Sequence, residues 1–175
     1  MALEDIGSLL IRVTVALLFL QGAWASSQDS KARQAVIAGT ALVFKWRPDL
    51  FAYGGMVMAA AAAGLSVLLG IFPRLGALAM TIFLVPAAMI HLAKRREAVA
   101  LKDKILADLP NSTGNTERND VEQLTASTVL GHTTAALKNL SLIGPTLYLV
   151  LAGASPPMLI GIGPDCQWQG LLTQL

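Results

Sequence analysis

The sequence predicts an all-α integral membrane protein, a four-helix bundle with one longer cytoplasmic loop. Two observations predict this fold class. Of the 175 residues, 54% are hydrophobic and only 14% are charged, which leaves too little polar surface for a soluble domain of this size. In addition, the run from Ala52 to Ala93 contains 42 residues and a single formal charge, Arg74. We therefore expect most of the chain to lie in a bilayer.

This apolar run is long enough to cross a membrane twice. A helix rises about 1.5 Å per residue and the hydrocarbon core is about 30 Å thick, so roughly 20 residues make one crossing. Arg74 lies near the middle of the run, directly after Pro73. Proline cannot continue a helix but readily begins one. The pattern predicts spans over 52–71 and 75–93, joined by a turn at 72–74.

Two further apolar segments bring the number of spans to four. Residues 6–24 contain one formal charge, Arg12, and residues 135–154 contain one, Lys138. Both segments are about as long as one crossing requires. We place all four spans in one domain, 1–154, and expect residues 155–175 to form a tail that lies along the membrane interface.

A cleaved signal peptide is the alternative for the first span. Ala23-Trp24-Ala25 has the small-x-small pattern of a cleavage site. However, Glu4 and Asp5 stand where a signal peptide has basic residues. The acidic start therefore favours a membrane span that is kept.

The distribution of Lys and Arg predicts the orientation of the spans. Loops 25–51 and 94–134 are both short enough for the positive-inside rule, which places basic loops in the cytoplasm. The N-terminus, the turn at 72–74 and the tail are then outside. Eleven of the 13 basic residues lie in these two loops or at their edge: Lys31, Arg33, Lys45, Arg47, Lys94, Arg95, Arg96, Lys102, Lys104, Arg118 and Lys138.

The loop 94–134 is expected to contain a helix over 92–109. Its apolar residues recur among Lys and Arg with helical spacing, which suits a helix on an anionic leaflet. For the role of this helix, a solvated helix that only anchors the third span is favoured over a helix that binds a partner. The segment Pro110 to Asn115 is rich in turn-forming residues and should end the helix.

Arg12 is the first candidate for function, because a charged group at membrane depth is costly and normally faces the bundle interior. One interpretation is an anion or carbonyl-oxygen site, which Arg74 would share from the same outer side. The other is that Arg12 extends outward to the lipid headgroups.

A second group of candidates gathers at the inner ends of the spans. His132, Asn139 and Thr146 recur every seven residues and should share one helix face. Histidine can relay protons for a quinone or bind a metal, but such polar residues also simply join membrane helices. We take as candidate cofactor-binding residues, besides Arg12 and Arg74, the following: Gln21, His91, His132, Lys138 and Asn139; Trp24 lies beside them at the membrane interface.

No motif in the chain specifies a reaction. A single cysteine, Cys166, excludes an internal disulfide and a thiolate metal cluster within the chain, and glycine-rich nucleotide motifs are absent. We assign no catalytic and no metal-binding residue, and expect no catalysis by this chain alone.

The chain resembles the DoxX-like family of four-helix membrane proteins, from about Leu9 to Gly153. The resemblance rests on Leu10-Ile11-Arg12 and Leu18-Phe19-Leu20-Gln21-Gly22 in the first span, on Gly70 to Leu78 around the hairpin turn, and on Lys138 to Gly144 in the last span. Two features of the family are missing. No basic residue follows Gly22, and the second span has no acidic residue.

The resemblance implies four packed helices in a bacterial-type inner or thylakoid-like membrane and an association with redox chemistry, often beside a quinone. Arg12, Arg74, Lys138 and Asn139 fall on the family pattern. We therefore expect a small subunit or accessory protein of a membrane redox system, with a quinone or lipid bound non-covalently near Arg12 and Arg74. Its partners would be membrane lipid and other membrane subunits, and not nucleic acid. The alternatives are a structural or assembly subunit of a larger complex and a small-solute transporter.

Overall fold

A computed structural model describes residues 3–110 and 114–153, and their side chains from Ile6 onward. In these residues the chain is almost entirely helical and has no strand element. The tail predicted over 155–175 lies outside the described residues. Five α-helices and one π-helical segment follow each other along the described chain: α1 (Leu3–Ser27), α2 (Ser30–Ala41), α3 (Pro48–Ala61), the π segment (Ala62–Leu68), α4 (Pro73–Asp108) and α5 (Asn115–Ala152).

The predicted all-α membrane fold with four spans is confirmed. Four helical stretches are long and apolar enough to cross a membrane: Ile6–Ser27, Pro48–Leu68, Pro73–Asp108 and Asn115–Ala152. The second span begins at Pro48, four residues earlier than predicted, because the proline occupies the first turn of α3 and Arg47 before it adopts a left-handed conformation with φ of 49°.

The hairpin turn between the second and third spans begins three residues earlier than predicted. The π segment ends at Leu68 and α4 begins at Pro73, so the turn covers 69–72. Gly70 has a φ of 83° and Phe72 has a φ of 49°, both in the left-handed region. The Ser66 hydroxyl donates to the carbonyl of Phe72 at 2.8 Å and so ties the end of the π segment to the start of α4.

The first predicted loop, 25–51, contains a helix, α2, that the sequence analysis did not predict. The side chain of Asp29 accepts a hydrogen bond from the Ala32 backbone N–H at 2.6 Å and caps the start of α2. α2 contacts α1, α3 and α4. It therefore lies against the end of the bundle at which these three helices meet.

The second predicted loop, 94–134, is helical over 94–108 and over 115–134. α4 continues to Asp108 and α5 begins at Asn115, and the break falls where the turn-forming residues predicted it. The segment 92–109 is thus continuous with the third span and is not a separate surface helix. We call residues 94–108 and 115–134 the helical extension. At about 1.5 Å per residue, α4 and α5 are roughly 54 and 57 Å long, far more than a hydrocarbon core requires.

The core of the bundle is formed by small and branched residues from all four spans. Ala59 and Ala63 of the second span are buried in the same cluster as Phe19 of α1, which is typical of small residues where membrane helices pack closely. Between α4 and α5 the Thr81 hydroxyl donates to the Thr146 hydroxyl at 2.8 Å. Thr146 thus faces α4, as its seven-residue spacing from His132 and Asn139 predicts.

Candidate functional site

A cavity of about 690 Å³ lies between the helices at the end of the bundle that α2 contacts. All four spans contribute to its wall, and Ala35, Val36 and Thr40 of α2 line it as well. This volume is within the range of about 300–1,000 Å³ that is typical of small-molecule pockets. The cavity is therefore large enough for an organic ligand.

Two histidines from neighbouring spans meet at the wall of the cavity. His91 of α4 and His132 of α5 approach with their Nδ1 atoms 3.3 Å apart and their ring centroids 5.5 Å apart. At this distance one Nδ1 donates a proton and the other accepts it. In the neutral pair, one Nε2 is then an acceptor and the other Nε2 is a donor. The pair can accordingly serve a ligand that carries a carbonyl or a hydroxyl group.

Lysine and amide side chains add further polar groups to the same wall. Lys94, Lys138 and Asn139 all line the cavity. Lys94 donates from Nζ to the carbonyl of Ala35 at 2.9 Å, which fixes the basic end of α4 against α2. Gly39 of α2 makes this contact possible, because a Cβ at this position would overlap Lys94 Cε. The charged groups that act on the two imidazoles are these lysines and Glu97.

The rest of the cavity wall is mostly apolar and aromatic. Phe19 of α1 and Phe83 of α4 approach with their ring centroids 6.0 Å apart, and Phe44 and Phe51 stack at 4.7 Å. Phe83 passes close to Gly55, where a Cβ would lie 3.0 Å from Phe83 Cε2. The cavity thus combines an apolar body with a cluster of polar side chains on α4 and α5.

Part of the chain matches a known protein family. Residues 7–93 match the DoxX family model, which covers the first three spans and the hairpin turn. The chain belongs to the DoxX-like family. Comparison with curated proteins and with solved structures gives no further match.

Residues that the family model matches line one side of the cavity, and α5 on the other side lies beyond them. Phe19, Phe83 and His91 lie within the matched residues, whereas His132, Lys138 and Asn139 lie on α5, beyond residue 93. The resemblance of Lys138 to Gly144 to the last helix of the DoxX-like family therefore stays a prediction.

Arg12 of this DoxX-like protein is buried and contacts backbone oxygens of its own chain. Only 1% of the residue is exposed. Its Nε donates to the carbonyl of Val67 at 3.1 Å and its Nη2 donates to the carbonyl of Leu68 at 3.2 Å. Arg12 therefore does not extend to the headgroups, and the carbonyl oxygens that it binds are those at the end of the π segment.

Three other predicted residues also lie away from the cavity wall. Arg74 is exposed at the opposite end of α4 from Lys94, where its guanidinium lies beside Gly153 at the end of α5. Gln21 and Trp24 are exposed on α1, and Trp24 is 70% exposed. Of the seven predicted cofactor residues, the structure brings four together at the cavity: His91, His132, Lys138 and Asn139.

Sequence reasoning missed Lys94 and Thr40 as cavity residues. Lys94 was grouped with the charges of a loop, and Thr40 belongs to the unpredicted helix α2. A signal for Lys94 was present, since it lies three residues after His91 and so on the same helix face. No comparable signal existed for Thr40, whose burial at 3% depends on the position of α2 against the bundle.

The side chains around the cavity favour a polar organic group over a metal ion. In the described part of the chain, no group of three or more His, Cys, Asp or Glu residues is placed to hold a metal. The histidine pair supplies two nitrogen atoms, fewer than the three or four protein ligands of zinc sites. Lys94 and Lys138 also repel cations. A ligand that offers carbonyl, hydroxyl or anionic oxygen matches these groups better.

Proposed function

We propose that this DoxX-like protein is a small subunit or accessory protein of a membrane redox system, and that it holds a quinone in the cavity. The observation that supports this proposal is the combination of an aromatic, apolar cavity body with the histidine pair, Asn139 and two lysines on one wall. An oxygen-bearing aromatic ring with an apolar tail is the ligand class that matches both parts of the cavity.

In this proposal the polar wall orients the quinone ring. When one Nδ1 donates to the other, one Nε2 of the pair carries a proton and the other does not. The protonated Nε2 can donate to a quinone oxygen, and the unprotonated Nε2 can accept from a quinol hydroxyl. The phenylalanine rings provide apolar surface for the ring and the tail, and aromatic rings pack favourably against one another. A bound quinone supplies the two-electron redox chemistry.

The chain's own residues bind and position the ligand. In the described residues and their sequence we find no motif or metal cluster that would deliver electrons. We therefore propose that a partner subunit supplies or receives the electrons and that this chain is not catalytic alone.

We further propose that the end with α2 faces the cytoplasm of a bacterial-type inner membrane. Eleven of the 13 basic residues belong to this end, and basic residues are retained on the cytoplasmic side of the membrane. The quinone site would then open near the inner leaflet.

The test is quinone binding by the purified protein. After mild detergent extraction, the wild-type protein should contain quinone detectable by solvent extraction and mass spectrometry. It should also bind a short-chain benzoquinone analogue. His132→Leu should weaken this binding roughly tenfold, since one hydrogen bond contributes about 1 kcal/mol and the partly buried His91 is left without its histidine partner.

Gln21→Leu is the matched control, because Gln21 is a polar residue of a span but lies outside the cavity wall. Its affinity should equal that of the wild type. A wild-type protein that is free of quinone and does not bind the analogue contradicts the proposal, as does equal binding by the His132→Leu and Gln21→Leu variants.

The second candidate function is a structural or assembly subunit. It is favoured by the helical extension, which exposes large apolar residues: Leu101 is 55% exposed, Leu124 68% and Leu130 67%. Such surface on a segment beyond the membrane core is typical of sites for protein contact. If this function is right, the protein extracted under mild conditions should copurify with a larger membrane complex and contain no quinone.

A further inference from the structure

A second concave surface lies on the outside of the bundle, between α1 and α3. This groove has a volume of about 380 Å³ and is open to the surroundings of the protein. Leu20, Ala23 and Trp24 line it from α1, and Tyr53, Met56, Val57 and Ala60 line it from α3. Since both helices are membrane spans, the groove faces lipid along most of its length.

The groove changes from apolar to polar along its length. Leu20 and Ala60 mark its apolar end, and Ser27 and Arg33 mark its polar end. From residue 20 to residue 27 a helix rises by about 10 Å, which is roughly two thirds of the thickness of the hydrocarbon in one leaflet. The polarity therefore changes over the same distance and in the same direction as in a phospholipid that lies in the leaflet.

A hydrogen bond to the backbone holds Arg33 at the polar end of the groove. Its Nη1 donates to the carbonyl of Ser27 at 3.0 Å, where α1 ends. The nearest carboxylate in the sequence, that of Asp29, accepts from the Ala32 N–H at the start of α2. The guanidinium has five N–H donors in a planar fork that matches a phosphate group.

Two aromatic residues flank this polar end. Trp24 is 70% exposed and Tyr53 is 45% exposed. Tryptophan and tyrosine concentrate at the level of the lipid headgroups, because one part of each ring system is apolar and the other donates a hydrogen bond. Their positions place Arg33 at headgroup depth.

We propose that this groove binds an anionic phospholipid, with the phosphate on Arg33 and one acyl chain along Leu20, Val57 and Ala60. The basic end of the protein supports an anionic lipid over a zwitterionic one, because positive charge near a membrane surface attracts anionic headgroups. The groove is separate from the quinone cavity, although Ala23 and Met56 lie in the wall between them.

The experiment measures which lipids remain bound. The protein is extracted with mild detergent from vesicles of equal phosphatidylglycerol and phosphatidylcholine, and native mass spectrometry counts the lipids attached to each molecule. The wild type should retain phosphatidylglycerol in preference to phosphatidylcholine. Arg33→Gln should retain about fivefold less phosphatidylglycerol, because the guanidinium that binds the phosphate in the groove is lost.

Lys31→Gln is the matched control, since Lys31 is exposed two residues away and does not line the groove. It should retain lipid as the wild type does, and so should His132→Leu, which alters the other cavity. Added inorganic phosphate should not displace the lipid, because the acyl chain contributes to binding. Should Arg33→Gln fail to fold, Ala60→Phe serves instead, since it fills the apolar end and should lower the retention of phosphatidylglycerol.

Three results would overturn the proposal. They are equal retention of the two lipids by the wild type, unchanged phosphatidylglycerol in both the Arg33→Gln and Ala60→Phe variants, and displacement of the lipid by phosphate alone. A loss of quinone binding in His132→Leu with unchanged lipid retention leaves the lipid site intact, so the two sites are tested separately.

Discussion

Arg12 is a buried charged residue that donates hydrogen bonds to the backbone of a neighbouring span. The carbonyls of Val67 and Leu68 lie where the π segment ends, and the guanidinium of Arg12 donates to both. Within a bilayer no water can replace such donors, and each unsatisfied carbonyl would be costly. Arg12 therefore stabilises the end of the second span, and an arginine fits this role because its fork reaches two acceptors at once.

Arg12→Ala should lower the free energy of unfolding by about 3 kcal/mol, because two carbonyls lose their donor and each buried unsatisfied group costs about 1–3 kcal/mol. The measurement is unfolding in a fixed detergent, followed by circular dichroism. Arg95→Ala is the control, since Arg95 is exposed on α4 and its loss should change stability by no more than about 0.5 kcal/mol. Similar losses in the two variants would show that the contacts of Arg12 do not stabilise the span.

At the scale of the elements, the packing of α4 against the π segment depends on one small residue. A Cβ at Gly76 would overlap the Ser66 side chain and lie 2.9 Å from the carbonyl oxygen of Ala62. The Ser66 hydroxyl cannot easily move, because it donates to Phe72 across the hairpin turn. The wider π helix and the glycine thus bring the two spans together directly after the turn.

Gly76→Ala should lower the free energy of unfolding by about 1–3 kcal/mol, the usual cost of overpacking, although alanine is the better helix former. Gly144→Ala is the matched control. Gly144 also lies inside a spanning helix, but a Cβ there meets nothing within 4 Å, so this variant should be neutral or slightly more stable. Thermal unfolding of both variants in the same detergent decides the matter. An equal response of the two glycines would be inconsistent with the close approach at Gly76.

The elements also show which parts of the fold the sequence can predict. The four spans follow from hydropathy and length alone, because a bilayer requires a long apolar helix at each crossing. The π segment could not be predicted, since Ala62–Leu68 has an ordinary helical composition and no local pattern in it indicates π-helical hydrogen bonding. The first part of the helical extension was predicted as a helix over 92–109, but its continuity with the third span and the helix over 115–134 were missed, because charged residues end a span by hydropathy without ending the helix.

The candidate site was predictable to the extent that it lies on one helix face. His132 and Asn139 were found from their seven-residue spacing, and His91 from its position near the end of a span. Their meeting at 3.3 Å depends on the register of α4 against α5, which no local pattern specifies. Arg12 and Gln21 lie outside the cavity wall, so their expected roles at a cofactor site stay predictions. The depth of a residue in a span is easier to predict from the sequence than the direction in which its side chain points.

At the scale of the whole molecule, the two ends differ in chemistry. One end has α2, the helical extension, the polar wall of the cavity and the mouth of the lipid groove. It also contains eleven of the 13 basic residues. The other end has the hairpin turn at 69–72, Arg74 in the first turn of α4, and the buried Arg12, which contacts the end of the π segment. The asymmetry of charge therefore predicts both the orientation of the protein and the leaflet from which its ligands enter.

Single cysteines in a Cys166→Ser background test this orientation. Leu101 lies in the helical extension and is 55% exposed, and Leu75 lies in the first turn of α4 and is 63% exposed. A membrane-impermeant maleimide should label Leu75→Cys in intact cells. It should label Leu101→Cys only in inside-out vesicles, because the positive-inside rule predicts that the basic end faces the cytoplasm. Val85→Cys, at the middle of the third span, should resist labelling from both sides, since the thiol is surrounded by lipid.

Each cysteine position tests a different part of this prediction. Labelling of Leu101→Cys in intact cells, together with labelling of Leu75→Cys only in inside-out vesicles, would reverse the orientation and leave the four spans in place. It would also move the cavity and the lipid groove to the outer leaflet, where anionic lipid is scarcer. Rapid labelling of Val85→Cys from either side would contradict the third span itself, because a water-soluble reagent reaches a thiol only where water does.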